Sequence, residues 1–362
     1  MKTLVLSYED IRTLVRKVGL HRIMDEMIDR LTVVLRDSGP ETHLVPTRSG
    51  FQYDSPVEGL LEWMPSMQLG SHATIKIVGY HPGNPRRRNL PTILSTISVY
   101  DTVTGHLVSV ADATFLTALR TGAASAVASK FLAAPASKTV GLIGGGAQAL
   151  TQLHALSRIF ALERVFVYDI DPVVSVKFAD RASFLALHIE PIQKDALAAN
   201  MAGADIVCTA TSVAIGGTPV IPDTGTRPWL HINAVGSDFH GKVELPVSLL
   251  RRSIVCPDFM EQALREGECQ QLHHNELGPD LRRLVRNAEQ YRYLQQETTV
   301  FDSTGWALED QTAMALLMDY ATELDLGSQM QLESDASDPR NPYQGLFDVE
   351  ASAAGSPLPL RS

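Results

Sequence analysis

Apolar residues recur at helical spacing through the opening of the chain, and Tyr8 to Arg36 reads as two amphipathic helices separated near Gly19. Between residues 43 and 115 the pattern changes to short alternating runs, such as TIKIVGY and TILSTISVYD, bounded by HPGNP and the turn VTGHL. Alternation broken by turn residues predicts an antiparallel sheet. ATFLTALRTGAASAVASKFLAA follows, rich in small residues and helical, and it stops near Pro135. From 139 to about 300, strands and helices alternate, with strands at VGLIG, RVFVYD, HIEPI, ADIVCTAT, LHINAVG and SIVCP. That order predicts an α/β chain with a Rossmann-type doubly wound parallel sheet. A last helix spans 306–324, WALEDQTAMALLMDYATEL. The nucleotide fold does not need it, so it is expected to return to the first unit and make that α+β unit discontinuous. The expected boundaries are 1–130 with 306–362 for the first unit and 131–305 for the second. The polar tail from Ser334, with Pro339, Pro342, Pro357 and Pro359, is expected to be loosely ordered.

Within the second unit, Val140 to Ala149 reads VGLIGGGAQA. A short apolar strand meets Gly144-x-Gly146-x-x-Ala149 and then the apolar-periodic run LTQLHALSRIF. The first glycine permits a tight turn, the second lets backbone approach a pyrophosphate, and the third position needs a small residue for helix–strand packing. The helix N-terminus adds free N–H donors for phosphates. The next strand ends in Asp169, 23 residues beyond Gly146. An acid at that spacing binds a ribose 2′-hydroxyl and favours NAD over NADP. Asp171 precedes Pro172 and reads as the start of the next loop.

Composition narrows the function classes. At 362 residues the chain is long enough for two domains, and its net charge of −10 argues against a nucleic-acid surface. The densest basic run, Arg86-Arg87-Arg88, is three long and reads as a solvated loop between Pro85 and Pro91. Three scattered cysteines, Cys208, Cys256 and Cys269, form no CxxC pair, which points to a reducing cytoplasm and no structural zinc or other metal site. The start carries early acids and no cleavage pattern, and no apolar stretch approaches membrane-spanning length.

Ligands of open α/β sheets bind beyond the carboxyl ends of the strands. CTATS offers Thr209, Thr211 and Ser212 there, INAVGSDFHGK offers Asp238 with Lys242 four residues on, and FDSTG offers Ser303 and Thr304. Asp238 reads equally as a carboxylate beside a nicotinamide or as a helix N-cap. The first unit offers Arg48, Lys76 and Arg120. Lys76 alternates with Ile75 and Ile77, so the ordinary reading puts it on a solvated face. Arg120 lies among small residues, and burying it there requires an anion. Converging cations would bind a carboxylate, and Glu62 in LLEWMP could hold an ammonium. Cations plus acids suggest an amino acid.

IKIVGYHPGNP, NLPT, TALRTGAASAVAS, GLIGGGAQA, INAVGSD, EGECQQL and VFDSTG together resemble the ornithine cyclodeaminase/μ-crystallin family, in order from about residue 40 to 330. TALRTGAASAVAS, TQLHALS, LREGECQQL and ELGP look most like the lysine cyclodeaminases, which make L-pipecolate for secondary metabolism. The resemblance implies that Arg48, Lys76 and Arg120 hold the substrate carboxylate, with Thr304 bordering the substrate. Asp238 would be the acid/base, and Glu62 would engage the side-chain amine. Gly144, Gly146, Ala147, Gln148, Asp169, Thr211, Val235, Gly236, Ser237, Lys242 and Ser303 would contact NAD, with Thr92 near the nicotinamide. In relatives the first unit builds a homodimer interface. The implied reaction is redox-neutral: hydride leaves the α-carbon for NAD+, the ε-amine attacks that carbon, ammonia departs, and hydride returns. The rival activities are ornithine cyclodeamination to proline and NAD(P)H-dependent reduction of a preformed cyclic imine. A binding protein without catalysis is a third class.

Overall fold

The computed structural model describes residues 1–223, 225–334 and 337–344. Its first strands are β1 (Thr3–Leu6), β2 (His43–Leu44), β3 (Ser49–Tyr53), β4 (Gly59–Gln68), β5 (His72–Tyr80), β6 (Ile93–Asp101) and β7 (Leu107–Asp112). There follow β8 (Thr139–Ile143), β9 (Arg164–Tyr168), β10 (Ile189–Pro191), β11 (Ile206–Thr209), β12 (His231–Ala234), β13 (Ile254–Pro257), β14 (Thr299–Asp302) and β15 (Ser328–Met330). One sheet runs β15-β1-β7-β6-β5-β4-β2, with β3 also on β4. The other runs β10-β9-β8-β11-β12-β14-β13, and every pairing in it is parallel. The doubly wound parallel sheet expected from the alternation is present.

Three strands escape the periodicity. β1 and β15 have four and three residues, too few to show alternation, and β1 pairs parallel to β7 in an otherwise antiparallel sheet. β14 lies between β12 and β13 and is buried throughout, so it carries no alternating signal. The arginine run 86–88 is exposed, but it forms a short helix, Asn84–Arg88, with Pro85 in its first turn, rather than a loop.

A larger departure concerns phase. In β4, β5 and β6 the alternation is as expected, but the face that turns inward carries Glu62, Met64, Lys76 and Ile97. Lys76 is 1% exposed, so the solvated-face reading is corrected. The outward face carries Phe51, Leu61, Ile77 and Leu94, which are 38–62% exposed. Trp63 packs edge-on against Phe51 at 5.3 Å between ring centroids. An apolar face outside and charge inside is the reverse of a free-standing sheet.

The helix Leu20–Asp37 buries Ile23, Met24, Met27, Ile28, Leu31 and Leu35, one stripe of a 3.6-residue period. It packs on two further helices, Thr114–Leu132 and the return helix Ala307–Glu323, which also reaches β4 and β5. Gly122 lets Thr114–Leu132 approach the helix Ala147–Ile159 closely, since a Cβ there would stand 2.5 Å from the Thr151 carbonyl oxygen. Arg120 is thereby carried to the carboxyl ends of the parallel strands. Of the expected loose tail, 345–362, including Pro357 and Pro359, lies outside the described residues.

Candidate active site

The glycine turn follows β8. Gly144 has φ +90° and a Cβ on it would stand 2.6 Å from the Ala210 carbonyl oxygen, so the position demands glycine twice over. Gly146 caps the helix Ala147–Ile159, and a Cβ there meets nothing within 4 Å. That space is where a pyrophosphate could reach the helix N-terminus. Ala149 is buried behind the turn, while Ala147 and Gln148 lie at its lip. Asp169 accepts the Gly145 N–H at 2.8 Å, which places its carboxylate at the turn. Asp171 instead caps the short helix Pro172–Val176.

The neighbouring strand ends are tied to one buried acid. Glu244 accepts the Thr209 hydroxyl at 2.7 Å, the Thr211 hydroxyl at 2.7 Å, the Thr211 N–H at 2.8 Å and the Gly236 N–H at 2.8 Å. Thr209 and Thr211 therefore face this carboxylate, a role the sequence did not suggest. Val235 and Ser237 are buried in the same turn, and the Ser237 hydroxyl donates to the Lys242 carbonyl. The Ser303 hydroxyl is buried at the end of β14 without a hydrogen-bond partner among the described residues. A buried hydroxyl without a partner is costly unless a ligand completes it. The open turn, the acid and this hydroxyl fit a dinucleotide.

Beside that crevice, two groups of charges face each other. The first is cationic in origin: Lys76 Nζ lies 2.7 Å from Asp310 Oδ1, and Arg120 Nε lies 3.1 Å from the same oxygen. Arg120 Nη1 also donates to Glu309 at 2.9 Å. One acid oxygen thus holds both cations side by side. Burial lowers Lys76 to about 8 and raises Glu309 to about 8. Burial works against the Arg120 charge, but Asp310 and Glu309 overcome it and raise its value.

The second group is acidic. Arg48 Nε lies 2.9 Å from Glu266 and 3.3 Å from Glu62. Its Nη1 donates to the Thr304 carbonyl at 2.8 Å, and its Nη2 donates to the Asp238 carbonyl. Thr304 is fixed in turn by Gln262 and Asp258, at 2.9 and 3.0 Å. Asp238 Oδ1 accepts Lys242 Nζ at 2.9 Å, and that ammonium sits 4.0 Å from the centre of the Tyr80 ring. Asp238 caps no helix, since the chain turns through Gly241 and the next helix begins at Val247. Lys242, expected to contact NAD, stands with Asp238 and Tyr80. Thr92 sits where β5 hands over to β6, its carbonyl accepting the His81 N–H. Burial raises Glu62, and it lifts Glu266 to about 7.

Residue spacing did not disclose Glu266, Glu309, Asp310 or Glu244 as site residues. Glu266 belongs to EGECQQL, which carried the resemblance but no role. Glu309 and Asp310 open the return helix, where acids are ordinarily explained by the helix dipole.

A parallel sheet with an open glycine turn and an acid on the second strand defines a dinucleotide-binding enzyme fold, here joined to two clusters of buried charged side chains. The chain belongs to the ornithine cyclodeaminase/mu-crystallin family, whose model matches residues 9–324. It is 43% identical to the L-lysine cyclodeaminase of Streptomyces rapamycinicus, over 95% of this chain and 99% of that one. Among solved structures it is similar to a lysine cyclodeaminase described for its recognition of L-lysine, L-ornithine and L-2,4-diaminobutyric acid. That match has a TM-score of 0.92 and 50% identity over 95% of this chain and 99% of the other. An archaeal alanine dehydrogenase dimer with bound NAD matches with a TM-score of 0.81 and 29% identity, over 92% and 100% of the two chains.

Proposed function

We propose that this chain is an NAD-dependent cyclodeaminase that converts L-lysine to L-pipecolate and ammonia. The observation that carries this is the two-poled cleft. Lys76 and Arg120 form one pole, and Glu62, Glu266 and Asp238 gather round Arg48 at the other. A carboxylate suits the first pole and amines suit the second, so the cleft fits an amino acid with a second amine.

NAD is the cofactor, and when bound it supplies the acceptor and later the donor of one hydride. Gly144, Gly146 and the helix behind them, with Asp169 and Ser303, would hold it. Lys76 and Arg120 fix the α-carboxylate, while Arg48, expected beside them, is engaged at the other pole by Glu62, Glu266 and the Thr304 and Asp238 carbonyls. Asp238 takes the proton from the α-nitrogen, its carboxylate pinned by Lys242 so that one oxygen faces the substrate. Glu62 receives the distal amine. Ring closure is intramolecular, so holding both ends of the substrate supplies much of the rate. The side chains of Lys76, Arg120, Glu309 and Asp310 are 7% exposed or less, which keeps water from the reacting carbon.

L-Ornithine is shorter by one methylene, worth about 0.8 kcal/mol of burial and about 1–3 kcal/mol of discrimination. The test is purified protein with a catalytic amount of NAD+ and either amino acid, following ammonia and the cyclic product. Many turnovers to pipecolate per NAD are expected. Faster proline formation would overturn the lysine assignment, and NADH consumption on a preformed cyclic imine without deamination would identify a reductase. Asp238→Asn should lose product while retaining NAD binding.

The chain divides into a substrate and dimer domain (1–130, 306–362) and an NAD domain (131–305). Two separate sheets, with the return helix packed on the first and the helix Thr114–Leu132 touching both, support that division. The apolar outward face of β3 to β6 supports a homodimer. Among the described residues no helix is long and apolar enough to cross a membrane. Three buried free thiols support a cytoplasmic setting.

A further inference from the structure

We propose that Glu266 is a second proton acceptor of the reaction, taking the proton of the substrate's distal ammonium while Asp238 serves the α-nitrogen; this rests on the cyclodeaminase reading above. The need follows from proton counting. At neutral pH both amines of L-lysine are protonated. The α-nitrogen must be neutral before hydride leaves its carbon, and the distal nitrogen must be neutral before it can attack. Two protons come off at opposite ends of the substrate, and one carboxylate holds only one.

Charge balance singles out the acceptor. Glu62 and Glu266 share a single guanidinium, Arg48, whose Nε is 3.3 and 2.9 Å away. One positive charge balances one of them, and the other is balanced by an arriving ammonium. Glu62 faces Asp238 and three cations, Arg48, Lys76 and Lys242, and the cations favour its charged form. Glu266 faces Arg48 and two acids, Glu62 and Asp238. Of the two, Glu266 is the better base. Its value of about 7 lies near the operating pH, where a general base is most effective.

The step balances. The distal N–H bond gives its proton to the Glu266 carboxylate and keeps its electron pair. That pair forms the new bond to the oxidised α-carbon, and the carbon–nitrogen π pair moves onto the α-nitrogen. A proton passes from the ring nitrogen to the α-nitrogen. The pair so freed on the ring nitrogen forms a carbon–nitrogen π bond as the old carbon–nitrogen bond breaks with its own pair, and ammonia leaves a cyclic iminium to which the hydride returns. Glu266 and Asp238 then give back one proton each, one to the departing ammonia and one to the reduced ring nitrogen. After the first transfer the trio of Arg48, ionised Glu62 and neutral Glu266 carries no net charge.

The test compares Glu266→Gln with wild type as NAD-loaded protein, rapidly mixed with L-lysine. NADH absorbance reports the first hydride transfer, and quenched samples report pipecolate. Glu266→Gln should form NADH in the first turnover at close to the wild-type rate, accumulate it, and make pipecolate about 10²-fold more slowly. S-(2-aminoethyl)-L-cysteine, whose distal ammonium is more acidic, should recover part of that loss. Parallel loss of NADH and cyclic product would overturn the proposal in favour of a structural role, and so would unchanged rates of both. If Glu266→Gln does not fold, judged by Tm and NAD binding, Glu266→Asp carries the test: the acidic limb of kcat should shift, and an unmoved limb overturns the proposal. Wild type that yields neither ammonia nor pipecolate from L-lysine sinks the cyclodeaminase reading itself, and that arm is read independently.

Discussion

Replacing Lys76 with Met keeps the length and volume of a side chain that is 1% exposed, and removes only its charge. Breaking a buried ion pair by deleting one partner costs about 3–5 kcal/mol, because the remaining charge is stranded. Here the stranded group is Asp310, left at 3.1 Å from Arg120 Nε after losing an ammonium at 2.7 Å. Arg120, which is shared with Glu309, still lies beside Asp310 and compensates it in part. The low end of the range is therefore expected, about 3 kcal/mol. Urea unfolding at fixed protein concentration measures it. Lys76→Met with Asp310→Asn removes both charges and should be more stable than Lys76→Met alone. The same substitution tests the carboxylate assignment. Losing one charge-assisted hydrogen bond of about 1.5–3 kcal/mol should raise KM for L-lysine roughly 10- to 140-fold, with a smaller change in kcat. A stability loss below about 1 kcal/mol, or a double variant no more stable than the single, would refute the ion-pair argument. An unchanged KM would remove Lys76 from the substrate site.

The raised value of Glu309 has a thermal signature. Between 4.5 and about 8 the folded chain holds a proton that the unfolded chain releases. That contribution to stability is complete below 4.5 and lost as pH rises through about 8. Tm measured across this window should fall less steeply for Glu309→Gln than for wild type, and identical slopes would contradict the assignment. Gly144→Ala places a side chain at φ +90° and against the Ala210 carbonyl. It should cost more than about 1 kcal/mol and weaken NAD binding, read by tryptophan fluorescence, whereas wild-type affinity would sever the turn from the cofactor. Ile77→Glu with Leu94→Glu charges the outward sheet face and should convert a dimer to a monomer in light scattering. A dimer that survives both substitutions is not built on this face.

The parallel unit was legible because its signals are local. Strand, glycine turn and helix are contiguous, and Asp169 falls at a fixed distance along the chain. The first sheet was legible in period but not in phase. Alternation in TIKIVGY shows that Ile75 and Ile77 share one face and Lys76 takes the other, yet it is silent on which face is wet. The usual rule sends the apolar face inward. It fails here because the inner face meets the return helix, where Asp310 awaits Lys76 from 234 positions away. No local pattern records that pairing. Arg120 shows the complementary case. Its small-residue surroundings forecast burial and hence an anion, but the anions, Glu309 and Asp310, sit on a helix whose sequence is explained equally well by its dipole. Glu266 is hidden for the same reason, since its meaning depends on Arg48 arriving from the loop before β3. The chemistry of this cleft is assembled from charges that each look ordinary in sequence. It becomes specific only where the return helix and the strand ends close on the inward face of the first sheet.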